Sequence, residues 1–205
     1  MGDPSPILFV KNMKPKLYII PGWGEKITGK NYQDLIESIT GHYKVVPIKL
    51  NLVNKKYVFG ETQLFSKVVE KARDQIQGSP AKDMILGFSV GASVAYELAT
   101  QIKFRLAIIC SISPIFGKDL SSLPPEKVSD LTSAQFEELT AMNYRAPLSP
   151  IVLFYGSSEP VEVIKRSKKL HRDFGGTLIS IPNGQHKLHG NYLVAVKIEL
   201  NRLGG

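Results

Sequence analysis

The chain has 205 residues, 43% of them hydrophobic, and a mean hydropathy of -0.04, which fits one globular domain with a sizeable core. No run approaches the roughly 18 apolar residues that a membrane span needs, and residues 1–10 lack the basic region and long apolar core of a signal peptide. The formal charge of +8 comes mostly from dispersed lysines, and no zinc-finger spacing or RNA-binding signature accompanies it, so nucleic acid is not an expected partner.

Strands and helices alternate along the chain. Residues 1–12 read as an extension ahead of the domain, which is expected to span 13–205. Residues 17–20 form an apolar strand stopped by Pro21-Gly22, and residues 31–40 form a helix with Asn31 as its N-cap. Residues 43–48 are strand-like, and 62–77 have helical spacing at Leu64, Val68, Val69 and Ala72. A short strand at 83–86 precedes a helix at 92–100. An apolar run at 105–112 contains Cys110, the only cysteine, which reads as a small buried hydrophobe. One cysteine rules out an intramolecular disulfide and fits a reducing, cytoplasmic setting.

Residues 113–149 interrupt the alternation with about one helix, so they read as a small cap insertion. Thr132 and Gln135 form a T-x-x-Q capping box, Leu131 can staple to Phe136, and Phe136, Leu139 and Met142 give an apolar face. With Phe116, these are the candidate substrate-pocket residues. Alternation resumes with a strand at 151–155, a helix at 161–174, a strand at 177–181 and a helix at 191–203. Short apolar strands alternating with helices imply a mainly parallel sheet of about six strands, covered on both faces. Sites in such sheets lie beyond the C-terminal ends of the strands.

Gly87-Phe88-Ser89-Val90-Gly91 matches G-x-S-x-G between a predicted strand and a predicted helix. A serine on that sharp turn is exposed as a nucleophile, and the flanking glycines give the turn room. A serine hydroxyl also needs a base, a group orienting the base, and donors for an oxyanion. His186 follows the last strand on a Gly-containing turn and is the expected base, ahead of His189. Glu159 is the first acid after the preceding strand and is the expected orienting group, with Glu162 in reserve. The N–H groups of Val90 and Trp23, the latter in Pro21-Gly22-Trp23-Gly24, are the expected oxyanion donors. This chemistry calls for no metal or cofactor.

These pieces, in the order Ser, acid, His, resemble the α/β-hydrolase family. Pro21-Gly22-Trp23-Gly24 is similar to that family's H-G-x-G loop, with proline in place of histidine, and glutamate stands where aspartate is commoner. The chain before Leu17 lacks room for the antiparallel strands that usually open the fold, so a reduced form is expected. The resemblance implies a serine esterase or thioesterase acting on a small-molecule or carrier-linked acyl ester. Some members hydrolyse methyl esters of acyl chains on acidic carrier proteins, as in biotin synthesis, and the basic surface, densest at Lys165-Arg166-Ser167-Lys168-Lys169, would suit an acidic carrier. A hydrolase scaffold used only for binding is the non-catalytic alternative. Gly24 to Lys30 also matches G-x-x-x-x-G-K, but Asn31 replaces the Mg²⁺-binding hydroxyl of a phosphate loop.

Overall fold

A computed structural model describes residues 14–50, 59, 63–121, 123 and 125–204. The expected extension at 1–12, and Thr62 at the expected start of the second helix, lie outside the described residues. Six strands form one sheet: β1 (Lys16–Ile20), β2 (Lys44–Pro47), β3 (Met84–Phe88), β4 (Leu106–Cys110), β5 (Ile151–Gly156) and β6 (Thr177–Ile181). Every pairing is parallel, in the order β2-β1-β3-β4-β5-β6. The chain starts in β1, moves outward to β2, then returns to the other side of β1 as β3. That reversal leaves a crevice beyond the C-terminal ends of β1 and β3, where ligands bind in open parallel sheets.

Alternation along the strands feeds two cores, because successive side chains leave opposite faces of a sheet. Leu17, Ile19, Met84, Leu86, Ile108, Cys110, Val152 and Phe154 pack on one face with α1 (Lys30–Ile39) and α8 (Gly190–Gly204). Tyr18, Ile20, Ile85, Ala107, Ile109, Ile151 and Leu153 pack on the other with α2 (Phe65–Arg73), α3 (Val90–Gln101) and Leu170 of α7 (Val161–Phe174). Each fully buried Leu or Ile contributes roughly 1.5–3 kcal/mol. Helix α3 is apolar nearly all round, which suits burial between the sheet and the segment that covers it. No helix among the described residues is long and apolar enough to cross a membrane.

Three local expectations need correction. Asn31 does not cap α1: Gly29 holds that position without a side-chain bond, because the turn closed by Gly29 N–H on the Lys26 carbonyl (2.8 Å) starts the helix earlier. The second helix is shorter than its periodicity suggested, ending at Arg73. Among the described residues, 113–149 hold three helices rather than about one: α4 (Lys118–Ser121), α5 (Pro125–Val128) and α6 (Ser133–Ala141). Four-residue helices are too short to carry a periodic signal.

The capping box of α6 forms as read. Thr132 N–H donates to Gln135 Oε1 (3.0 Å), and Gln135 N–H donates to Thr132 Oγ1 (3.3 Å). Two features tie this covering segment down. Glu138 of α6 accepts from the first N–H groups of α2, Phe65 (2.6 Å) and Ser66 (3.1 Å), where a carboxylate meets the positive end of the helix. Tyr96 of α3 donates to the Arg145 carbonyl at 2.8 Å.

Candidate active site

Ser89 lies immediately after β3 with φ 56 and ψ -122, a conformation that a non-glycine residue holds only under constraint from its surroundings. Its N–H still bonds the Cys110 carbonyl (2.9 Å), while its own carbonyl starts α3 by accepting from Ala92 (3.0 Å). The turn closes so tightly that a Cβ on Gly87 would lie 2.2 Å from the Gly91 carbonyl oxygen. A Cβ on Gly91 would lie 2.3 Å from the Pro21 carbonyl oxygen. The elbow is therefore packed directly against the loop that follows β1.

That loop is itself held in shape. Glu25 accepts from the Gly22 N–H (3.0 Å) and from the Tyr32 hydroxyl (2.6 Å), and Glu25 N–H donates back to the Gly22 carbonyl (3.1 Å). Trp23, partly buried, stands between, and its N–H makes no hydrogen bond with the described residues. Val90 N–H opens α3, where first-turn donors have no partner within the helix.

His186 sits on the loop after β6, and its Nε2 is 2.8 Å from Ser89 Oγ. Its ring packs at a tilt on Phe88, with centroids 5.6 Å apart. Glu159 follows β5, with its side chain wholly buried and Oε1 3.7 Å from His186 Nδ1, within ion-pair reach but longer than a hydrogen bond. The acid and histidine loops are laced together. Ser157 N–H donates to the Ile181 carbonyl (2.9 Å), Ser158 N–H to the Gly184 carbonyl (2.9 Å), and Asn183 N–H to Ser157 Oγ (2.9 Å). The two backbones approach so closely that a Cβ on Gly156 would fall 2.2 Å from the Gly184 oxygen.

The reserve residues stand elsewhere. Glu162 lies in the first turn of α7 and lines a cavity with Lys165 and Arg166. His189 is exposed, three residues beyond His186. The four pocket candidates lie in or against the core: Phe116 and Leu139 are fully buried, and Phe136 and Met142 are partly buried beside them. Met142 lines a second cavity, of about 340 Å³, between α2 and α3, and Ser89 lines neither this cavity nor the one at Glu162.

Sequence reasoning missed Ser111, Ser113 and Tyr192. Ser111 hydrogen-bonds Glu159 Oε1 and lies 2.8 Å from the Tyr192 hydroxyl, which in turn donates to the Phe154 carbonyl (3.1 Å). Ser111 has φ 52, a second strained serine at the edge of the same crevice. Ser113 Oγ is 3.4 Å from Ser89 Oγ. The available signal was position: Ser111 and Ser113 end the strand adjacent to Ser89's, although the apolar run absorbed Ser111 into the predicted strand.

Burial raises the Glu159 carboxyl to about 7, while the hydrogen bond from Ser111 pulls it partly back. Glu159 Oε2 makes no hydrogen bond with the described residues, in keeping with that raised value. Burial likewise holds the Cys110 thiol well above its ordinary range, so Cys110 stays a neutral core side chain.

No protein-family model matches the chain, and no curated protein matches it in sequence. Solved structures match it in fold. Est1E from Butyrivibrio proteoclasticus, with ferulic acid bound, has a TM-score of 0.72 at 14% identity, over 93% of this chain and 88% of that one. The RedJ thioesterase of the prodiginine biosynthetic pathway in Streptomyces coelicolor has a TM-score of 0.64 at 19% identity, over 94% and 90%. An alpha-beta serine hydrolase homologue from Coxiella burnetii has a TM-score of 0.62 at 18% identity, over 95% and 88%. At such identities the likeness is one of fold. Taken with the six-stranded parallel sheet, it assigns this chain the α/β-hydrolase fold, in a reduced form.

Proposed function

We propose that the protein is a serine hydrolase that cleaves carboxylic esters or thioesters through an acyl group held on Ser89. The observation that carries this reading is the 2.8 Å contact between His186 Nε2 and the hydroxyl of a strained serine on a strand-to-helix turn. Its fold neighbours include an esterase and a thioesterase, which supports an ester or thioester substrate over other acyl compounds. The buried single cysteine fits a cytoplasmic setting.

His186 takes the Ser89 proton as Oγ attacks the acyl carbon. The N–H groups of Trp23 and Val90 receive the developing oxyanion, each lowering the barrier by roughly 3 kcal/mol. His186 then protonates the departing alcohol or thiol. A water molecule, deprotonated by His186, attacks the acyl group and frees Ser89. Glu159, ionised, orients the imidazole and stabilises its cationic form. The 3.7 Å separation in the resting site shortens as His186 becomes charged, since such bonds tighten in the transition state.

A panel of p-nitrophenyl esters and acyl thioesters of increasing chain length tests this function. Turnover by the wild-type protein is expected. A protein that turns over none of them is a binding scaffold.

The burial of Glu159 also fixes a pH dependence. Activity needs the ionised carboxylate, so kcat/KM is expected to rise with pH through about 7 and then level off. Ser111→Ala removes a bond that favours the charged form, so that rise moves to higher pH, leaving KM at the plateau little changed. A Ser111→Ala profile that superimposes on the wild type refutes this role for Ser111.

A further inference from the structure

Helix α7 carries five cations, Lys165, Arg166, Lys168, Lys169 and Arg172, against two carboxylates, Glu162 and Asp173. Lys169 and Arg172 pair with Asp173. Arg166 is turned inward. It is 7% exposed, forms an ion pair with Asp119 of α4, and lays its guanidinium over the Tyr144 ring, 4.2 Å from the centroid. Burying a cation is costly unless its donors are used. Burial has already drawn the Arg166 guanidinium down to about 10, so it remains charged at neutral pH. Yet Arg166 Nε is buried and makes no hydrogen bond with the described residues.

These groups surround a cavity of about 440 Å³ between α7 and α4, lined by Pro114, Asp119, Glu162, Lys165, Arg166 and Lys169. A short series of contacts joins it to the nucleophile. Ser89 Oγ is 3.4 Å from Ser113 Oγ; Tyr144 donates to the Ser113 carbonyl at 3.1 Å; and Arg166 stacks on Tyr144. Pro114, the residue after Ser113, is part of the cavity wall. The cavity wall thus begins one residue from a side chain that touches Ser89 Oγ, although Ser89 itself does not line the cavity.

Resting on the hydrolase reading, we infer that this cavity is an oxyanion subsite that selects acyl groups ending in a carboxylate. The guanidinium of Arg166, with its spare Nε–H, and the Lys165 and Lys169 ammonium groups receive the distal anion. Asp119 and Glu162 face the same space and oppose it, and Asp173 competes for Lys169. Asp119 already occupies part of Arg166, so an arriving carboxylate competes with Asp119 for the guanidinium. Removing Asp119 therefore strengthens anion binding, whereas removing the lysines weakens it. A purely structural ion pair between α4 and α7 produces no such opposite signs.

Calorimetry on Ser89→Ala protein tests this without requiring turnover. The probes are monomethyl glutarate, methyl pentanoate and inorganic phosphate. Monomethyl glutarate is expected to bind at least about tenfold more tightly than methyl pentanoate. Asp119→Asn should widen that ratio severalfold, and Lys165→Gln with Lys169→Gln should narrow it. The same charge change at Lys82 and Lys103, remote on the surface, should leave the ratio as it was. Phosphate binding with the same two opposite responses, but no preference between the esters, keeps the anion site and overturns the carboxylate assignment. Equal binding of all probes, or a ratio that ignores both sets of variants, overturns the inference. Salt-sensitive binding of an acidic carrier protein with no ester preference also overturns it and makes α7 a docking face. If the esters bind as expected while the wild-type protein hydrolyses nothing, the subsite stands and the hydrolase reading falls.

Discussion

Ser89→Ala is expected to lower kcat/KM for any ester that the protein turns over by about 10⁴–10⁶-fold, with little change in KM. The size of the loss follows from the chemistry: without Oγ no acyl-enzyme forms, and what persists is the stabilisation offered by the oxyanion donors and substrate binding. The fold should survive the change. Ser89 donates its N–H to the Cys110 carbonyl (2.9 Å) and accepts from Ala92 (3.0 Å) through its backbone, and neither bond needs the hydroxyl. Alanine in the strained conformation at φ 56 is no worse placed than serine. Melting temperature and kcat/KM measured on the same preparation separate a lost nucleophile from a lost fold.

Glu159→Gln is expected to act in opposite directions on activity and stability. Activity falls by about 10²–10⁴-fold, because a neutral amide cannot stabilise the imidazolium and can hold the wrong tautomer. Stability rises. The carboxyl has a folded-state value of about 7 against an ordinary value of 4.5. Between those two pH values the folded chain keeps a proton that the unfolded chain has lost. Wild-type stability therefore falls as pH rises from 4.5 to 7 and is flat above 7 as far as this group is concerned. At pH 8 the ionised carboxylate costs about 3 kcal/mol, since each tenfold change in proton affinity between the folded and unfolded chain is worth roughly 1.4 kcal/mol. Glutamine, similar in shape and uncharged, removes that cost. Denaturant melts of both proteins should diverge between pH 4.5 and 7, differ most at pH 8, and coincide near pH 4. A variant less stable than the wild type at pH 8 contradicts the assignment of a destabilising buried charge. Glu162→Gln, altering a carboxylate that lines the α7 cavity instead, is expected to leave hydrolysis of uncharged esters in place.

The fold was legible because its signals are local. Leu17 to Ile20, Ile85 and Leu86, and Ile151 to Tyr155 are short apolar runs bounded by Pro or Gly, and each lies in a central strand. The capping box at Thr132 and Gln135 was readable for the same reason: its donors and acceptors lie within four residues. The juxtaposition of Ser89, Glu159 and His186 was legible because each follows a strand, and strands of a parallel sheet end on one edge. Ser111 and Tyr192 were not readable. Their bonds to Glu159 and to each other join β4, β5 and α8 across large sequence distances, and neither residue belongs to a motif. The start of α1 was missed because Gly29 needs no side chain to begin a helix once the preceding turn has closed. The extra helices of the covering segment were missed because one turn leaves no period to read. In the sequence Arg166 reads as part of a basic surface. Only its burial against Tyr144 and Asp119 separates it from Lys165 and Lys169 beside it.

The measurement that bears most directly on the nucleophile is peptide mapping by mass spectrometry after treating the wild-type protein with a fluorophosphonate. One phosphonyl adduct is expected, on Ser89, formed at the rate at which ester hydrolysis is lost and failing to form in His186→Ala. An unlabelled Ser89 in a protein that continues to hydrolyse esters, or inactivation accompanied by an adduct on another residue, would contradict the assignment of Ser89 as the nucleophile.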